Sequence, residues 1–256
     1  MVELKALIFD VDGTLADTER DGHRVAFNLA FEKAGLDWRW SEELYGQLLS
    51  VTGGKERILH YLDKYNPDFK RPDNLQQFVA DLHKSKTDFY TRLLGEGNIP
   101  LRSGVKRLIN EAREAGLRLA IATTTTPANV SALLQHAMDA DAESWFEVIA
   151  AGDIVESKKP AADIYFYALE EMALKPEECL AFEDSRNGIL SSCGANLTTI
   201  ITVNEYTKND NFNGAAIVLD NMGEPDHGFK VLSGPSYEET YLNLDLLKKL
   251  HRDRHV

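Results

Sequence analysis

Short runs rich in apolar residues recur along this chain at 6–9, 118–123, 146–150, 179–182, 198–203 and 215–219. Runs of that length, bounded by polar turns, predict strands buried on both faces, as in a parallel sheet. Between them, apolar residues return at helical spacing from Gly104 to Gly116, Ala128 to Ala137, Ala162 to Met172 and Asn187 to Cys193. Strand and helix in alternation predict an α/β fold, a Rossmann-like doubly wound parallel sheet.

Residues 17–94 break that alternation. Val25, Ala26, Leu29, Ala30 and Ala34 share a helical period, as do Leu44, Leu48 and Leu49, then Ile58, Leu59 and Leu62. Phe78, Val79, Leu82, Phe89, Tyr90 and Leu93 continue it, with Asn66-Pro67 and Arg71-Pro72-Asp73 as loops between. The expected organisation is a discontinuous core domain, 1–16 and 95–256, with a helical-bundle cap domain, 17–94, inserted after the first strand. Residues 224–256 read as a C-terminal extension with a final helix near Leu242 to His251, and no function follows from it.

Composition narrows the partners. The formal net charge of −13 argues against nucleic acid, which needs clustered Lys and Arg. An anionic substrate must then rely on local positive charge. Cys179 and Cys193 are the two cysteines, read as free thiols in a reducing compartment. No apolar stretch reaches the roughly 18 residues of a membrane span, and the chain begins without a cationic, apolar leader. The expectation is a cytoplasmic protein, or a plastid stromal one if a transit peptide has been removed, most simply a monomer.

The first strand ends in Asp10-Val11-Asp12-Gly13-Thr14. Aspartates at i and i+2 on a strand face the same way, and active sites of open α/β sheets lie outside the strand carboxyl ends. Asp followed by Gly is also an ordinary turn, so the pair needs partners at neighbouring strand ends. Thr123, followed by Thr124 and Thr125, offers hydroxyls and N–H groups to a phosphoryl oxygen. Lys159 can balance negative charge, and Glu183-Asp184 can supply oxygen ligands to a hard cation. Each alone has a plainer reading, as a strand residue, a surface charge or a helix N-terminus. Four in this order do not.

The string Phe9-Asp10-x-Asp12-Gly13-Thr14-Leu15, with Thr123, Lys159 and Glu183-Asp184, resembles the haloacid dehalogenase superfamily. That resemblance implies an enzyme, in most members a Mg²⁺-dependent phosphatase or phosphomutase. It implies Asp10, the Asp12 backbone carbonyl, Glu183 and Asp184 as metal ligands, and Asp10 as the nucleophile that forms an aspartyl-phosphate. Asp12 is then the acid and base, Lys159 the charge shield, and Thr123 the phosphate anchor.

Asp17-Thr18-Glu19, His23 to Asn28, Thr52 to Arg57, His83 to Thr87 and the run from Lys158 to Tyr165 further resemble CbbY-type phosphatases. Those enzymes convert xylulose-1,5-bisphosphate, an inhibitor of Rubisco in the Calvin cycle, to xylulose 5-phosphate. A bisphosphate requires a second basic pocket. Gly53, Gly54, Lys55 and Arg57, at the start of a predicted helix, are the candidates, with Thr18, Glu19, His23 and Lys86 lining the cleft. The segment between Thr18 and His23 is one residue longer than in some bacterial members. Core motifs leave open a β-phosphoglucomutase-like phosphomutase, or a phosphatase of another small phosphorylated metabolite. An inactive scaffold does not suit so complete a set of residues.

Overall fold

The computed structural model describes residues 2–97 and 99–254. Met1, Asn98, His255 and Val256, all within the expected core domain, lie outside the described residues. Strand β1 (Ala6–Phe9) leads through a π-helical turn, Glu19–His23, into four helices: α1 (Arg24–Lys33), α2 (Glu42–Leu48), α3 (Gly54–Lys64) and α4 (Leu75–Gly95). Alternation then resumes with α5 (Val105–Glu114), β2 (Arg118–Thr123), α6 (Pro127–Leu133), β3 (Val148–Ala151) and α7 (Asp163–Glu171). It continues with β4 (Cys179–Glu183), α8 (Arg186–Gly194), β5 (Thr198–Thr202) and β6 (Ile217–Leu219), and ends with β7 (Val231–Ser233) and α9 (Leu244–Arg254).

The strands form one sheet in the order β3-β2-β1-β4-β5-β6-β7, parallel except for the β6–β7 pair. β1 therefore lies inside the sheet, and its alternation splits two cores. Leu7 and Phe9 join Leu119, Ile121, Leu180 and Phe182 on one face; Ala6 and Ile8 join Ala120, Ala122 and Ala181 on the other. Register sets the chemistry. Phe9 pairs with Ile121 and with Phe182, so the next step along each strand brings Asp10 level with Glu183.

Two features differ from the sequence reading. β7 was not expected: its three residues, Val231, Leu232 and Ser233, are exposed, so burial leaves no pattern to read. The last helix runs to Arg254 and belongs to the main core, where Leu246, Leu247 and Leu250 lie with Leu108 and Ile109 of α5. Cys179 and Cys193 are free, and burial pushes the Cys179 thiol up to about 12, which leaves it inert at neutral pH.

Helices α1 to α4 enclose a separate aromatic core of Phe27, Phe31, Trp38, Trp40, Tyr45 and Tyr61. Ser41 and Asn74 cap α2 and α4, accepting from the backbone N–H of Leu44 and Gln77. The two linkers that join this helical block to the sheet run side by side: Ala16 bridges Leu101, and Arg102 N–H donates to Leu15 O at 2.8 Å. Leu247→Ala, removing a fully buried side chain from α9, is expected to cost about 2–5 kcal/mol in urea unfolding. Unchanged stability would show that the C-terminal helix does not contribute to the core.

Candidate active site

Four side chains meet just beyond the carboxyl ends of β1, β2 and β4. Lys159 Nζ donates to Asp10 Oδ1 at 2.7 Å, to Glu183 Oε1 at 2.5 Å and to Ala122 O at 2.8 Å. Tyr165 OH donates to the same Glu183 oxygen at 2.6 Å. Burial opposes the Lys159 charge, but Asp10 and Glu183 outweigh it and hold the ammonium protonated well above the usual lysine range. Burial also pushes the Asp10 carboxyl up to about 7, with Glu183 adding to the shift and Lys159 opposing it.

Asp184 completes the cluster. Carboxylate oxygens of Asp10, Glu183 and Asp184 lie within 4.8 Å of one another, all buried. Burial, then the charges of Asp10 and Glu183, raise the Asp184 carboxyl well above its ordinary range. Three buried carboxylates beside one lysine leave negative charge uncompensated, and Glu183 Oε2 has no hydrogen-bond partner. An all-oxygen set of this charge fits a hard divalent cation. The backbone gives way to make room: a Cβ on Gly13 would fall 2.2 Å from Asp184 Oδ2, and one on Gly188 1.9 Å from Glu183 Oε2.

Asp12 has different surroundings. Its Oδ1 accepts from Thr18 Oγ1 at 2.6 Å and meets His23 Nε2 at 2.7 Å. Lys86 Nζ lies 2.7 Å from His23 Nδ1. An ammonium has no lone pair, so Nδ1 must accept and Nε2 must carry the proton toward Asp12. Lys86 is buried over the rings of Phe27 and Tyr90 at 5.2 and 5.1 Å, and burial brings it down to about 8 against the pull of Asp12 and Glu19. Burial opposes ionisation of Asp12, yet His23, Thr18 and Lys86 together hold it well below the usual carboxylate range. Two aspartates two residues apart are thus driven in opposite directions.

Thr123 and Thr124 line the same cavity, whose free volume is only about 80 Å³ beneath the helical block. Thr123 Oγ1 accepts from Thr125 N–H at 3.3 Å, and Thr125 Oγ1 accepts from Asn129 Nδ2 at 2.8 Å, where Thr125 and Asn129 line a small pocket beside Asp12, His23 and Lys86. From the helical side, Glu19 accepts from Tyr45 OH, and Arg57 donates to that hydroxyl at 2.8 Å. Arg57 lies 3.8 Å from Glu19. Gly53, with φ +92°, and Gly54 bring the start of α3 beside Asp12, His23, Arg57 and Lys86.

Lys55 is a correction. It does not face those residues; it pairs with Asp153 Oδ2 at 2.5 Å in a neighbouring cleft of about 440 Å³. Lys158 joins Asp153 at 2.9 Å and Glu56 at 2.9 Å, so four charges clasp α3 to the loops on either side of Asp153 and Lys158. Helical phase explains the difference, since Lys55 and Arg57, two residues apart, point about 200° apart around α3.

Sequence reasoning did not name Tyr45, Arg102 or Asn204, and took Tyr165 only as the end of a matching run, with no role of its own. Asn204 Nδ2 donates to Asp184 Oδ2 at 2.6 Å, and its place just past β5 was open to the same strand-end rule that found the others. Tyr45 reads in sequence only as an apolar helix position.

The cluster sets a pH dependence. Asp10 has its folded value raised from 3.8 to about 7, so the folded chain binds the extra proton between those values. Its stabilising contribution is complete below about pH 4 and is lost as pH rises through 7. A divalent cation competes with that proton. The expected result is that Mg²⁺ raises the unfolding temperature clearly at pH 8 and little at pH 5, relative to chelator. A shift that ignores pH would contradict the carboxylates as its ligands.

Comparison with known proteins gives the same picture. The family model for haloacid dehalogenase-like hydrolases matches residues 4–192. Protein CbbY of Rhodobacter capsulatus is 51% identical over 214 residues, covering 84% of this chain and 92% of its own. The plasmid-borne CbbY of Cupriavidus necator is 47% identical over 222 residues, covering 87% of both. A mutant of CbbY from Rhodobacter sphaeroides, solved with xylulose-1,5-bisphosphate, is 45% identical with a TM-score of 0.78, covering 85% of this chain and 94% of its own. The chain belongs to the haloacid dehalogenase-like hydrolases and is a phosphatase of that family.

Proposed function

We propose that this phosphatase hydrolyses xylulose-1,5-bisphosphate to xylulose 5-phosphate, with Asp10 as nucleophile and Mg²⁺ as cofactor. The observation that carries the chemistry is the contrast between Asp10, neutralised by Lys159 at a strand end, and Asp12, held apart by Thr18 and His23. The separate surroundings let the pair take separate roles, with Asp10 freed to act as nucleophile once a divalent cation displaces the proton that burial favours on it. The substrate is supported by the Rhodobacter sphaeroides relative, solved with that bisphosphate.

An Asp10 oxygen attacks phosphorus in line, and the ester bond to the sugar oxygen breaks. The departing oxygen takes a proton from Asp12, whose affinity for that proton rises when an anionic phosphoryl group sits beside it. Water then attacks the acyl phosphate while Asp12 removes its proton, releasing inorganic phosphate and restoring Asp10. Lys159 offsets the repulsion between nucleophile and phosphate, and Thr123 with the Thr124 N–H steadies the equatorial oxygens. Mg²⁺ held by Asp10, the Asp12 carbonyl, Glu183 and Asp184 would supply further neutralisation of the phosphoryl charge.

Residues 17–94 serve as the cap over a core of 1–16 and 95–256. The cavity of about 80 Å³ is small beside ordinary ligand pockets of about 300–1,000 Å³, so substrate entry requires the cap to swing away and close again. Arg57, Lys86 and the N–H groups at Gly53 and Gly54 receive the second phosphate. The partner is a small phosphorylated sugar, not nucleic acid; among the described residues no helix is long and apolar enough to cross a membrane.

Turnover of xylulose-1,5-bisphosphate with one inorganic phosphate released per substrate is the expected result, and phosphate retained on an isomerised sugar would establish a mutase instead. Asp10→Asn is expected to lower kcat by several orders of magnitude with the unfolding midpoint preserved; near-normal turnover would remove Asp10 as nucleophile. Arg57→Ala is expected to raise KM about 10- to 100-fold for the bisphosphate and far less for a monophosphate. Equal effects on both would place the second phosphate elsewhere.

A further inference from the structure

Arg102 stands where the chain returns from the cap, and its side chain is 8% exposed. Its guanidinium is turned toward backbone oxygens. NH1 donates to Gly13 O, to Thr202 O at 2.9 Å and to Thr202 Oγ1 at 3.3 Å. NH2 donates to Val203 O at 2.5 Å and to Asp220 O at 2.9 Å. The nearest carboxylate is Asp17 Oδ1 at 3.4 Å, on a side chain 66% exposed. One planar fork thus ties together the loops that follow β1, β5 and β6, something a lysine ammonium cannot match in geometry.

Two of those loops wall in Asp184. Asn204 follows directly on Val203, and its Nδ2 donates to Asp184 Oδ2 at 2.6 Å. The Asn204 Oδ1 accepts from the N–H of Tyr206 at 2.9 Å and of Thr207 at 3.2 Å, which fixes the amide with its NH₂ toward the carboxylate. Gly13 stands against the same contact, where a Cβ would fall 2.2 Å from Asp184 Oδ2 and 2.6 Å from Asn204 Nδ2. Val203, which precedes Asn204, and Gly13, which abuts Asp184, are therefore anchored by the same arginine.

We propose that Arg102 and Asn204 are positioning residues for the cation cluster. Arg102 locks the β1 and β5 loops in register, and Asn204 holds the Asp184 carboxylate in one orientation beside Asp10 and Glu183. Asn204 lines the catalytic cavity, but its amide is committed to Asp184, and the Arg102 guanidinium to backbone oxygens. The inference rests on the reading of Asp10, Glu183 and Asp184 as the divalent-cation ligands, and it adds that their affinity is set by a hydrogen bond and a fork outside the ligand set.

The test is calorimetric titration of substrate-free protein with Mg²⁺, for the unaltered chain and for Asn204→Ala, Arg102→Lys and Arg102→Met. Asn204→Ala is expected to weaken Mg²⁺ binding about 10- to 100-fold, with the metal-free unfolding temperature close to the unaltered one. At saturating Mg²⁺ its KM for sugar phosphate is expected to stay within about twofold. Arg102→Lys keeps the charge but loses the fork, and is expected to weaken Mg²⁺ binding as Arg102→Met does. Asn204→Ala, half-exposed and outside the core, carries the test if an Arg102 variant does not fold. Wild-type affinity in Asn204→Ala overturns the proposal while leaving the cation site intact. An unaltered chain that binds no Mg²⁺ overturns the cation reading, and this inference with it.

Discussion

A buried ammonium between two buried carboxylates is the constraint from which the site follows. Lys159 contacts Asp10 and Glu183 together, and neither acid could sit uncharged-for at the end of a parallel sheet without cost in desolvation. One cation for three acids, once Asp184 is included, leaves the cluster short of positive charge. That shortfall is what suits the place to a divalent cation. The buried tyrosine hydroxyl of Tyr165, aimed at the same Glu183 oxygen, keeps that acid from turning away.

The sheet explains why those groups coincide. Parallel strands in register deliver their carboxyl ends to one edge, so residues distant in sequence become neighbours without any loop having to reach. Asp10 and Glu183 stand side by side because Phe9 pairs with Phe182. Asp12, two residues on, has already left the strand and enters the territory of the helical block, where Thr18 and His23 receive it. A single short segment thus places one carboxylate among the strand ends and the other against the helical block.

What was legible in the sequence follows from the same geometry. Buried strands leave continuous apolar runs, and the residues that end them stand out, so Asp10, Asp12, Thr123, Lys159, Glu183 and Asp184 could be read in order. The edge strand β7 could not, because exposure on a sheet edge erases the hydrophobic signal. Lys55 was assigned with Arg57 by proximity in sequence, but the docking of α3 on the core sends it to Asp153. Arg102 reaches backbone carbonyls, contacts for which no side-chain pattern exists, whereas Asn204 stands just past β5 and was open to the strand-end rule. Tyr45 is hidden differently: its ring packs in the aromatic core while its hydroxyl reaches Glu19 and Arg57.

The central claim is that phosphoryl transfer passes through Asp10. The most direct measurement is to quench the enzyme during turnover, reduce any acyl phosphate with borohydride, and sequence the peptides by mass spectrometry. Reduction converts a phosphorylated aspartate to homoserine, and homoserine at position 10 alone is the expected result. Homoserine at position 12 or 184, or none under conditions where substrate is consumed, would contradict the mechanism.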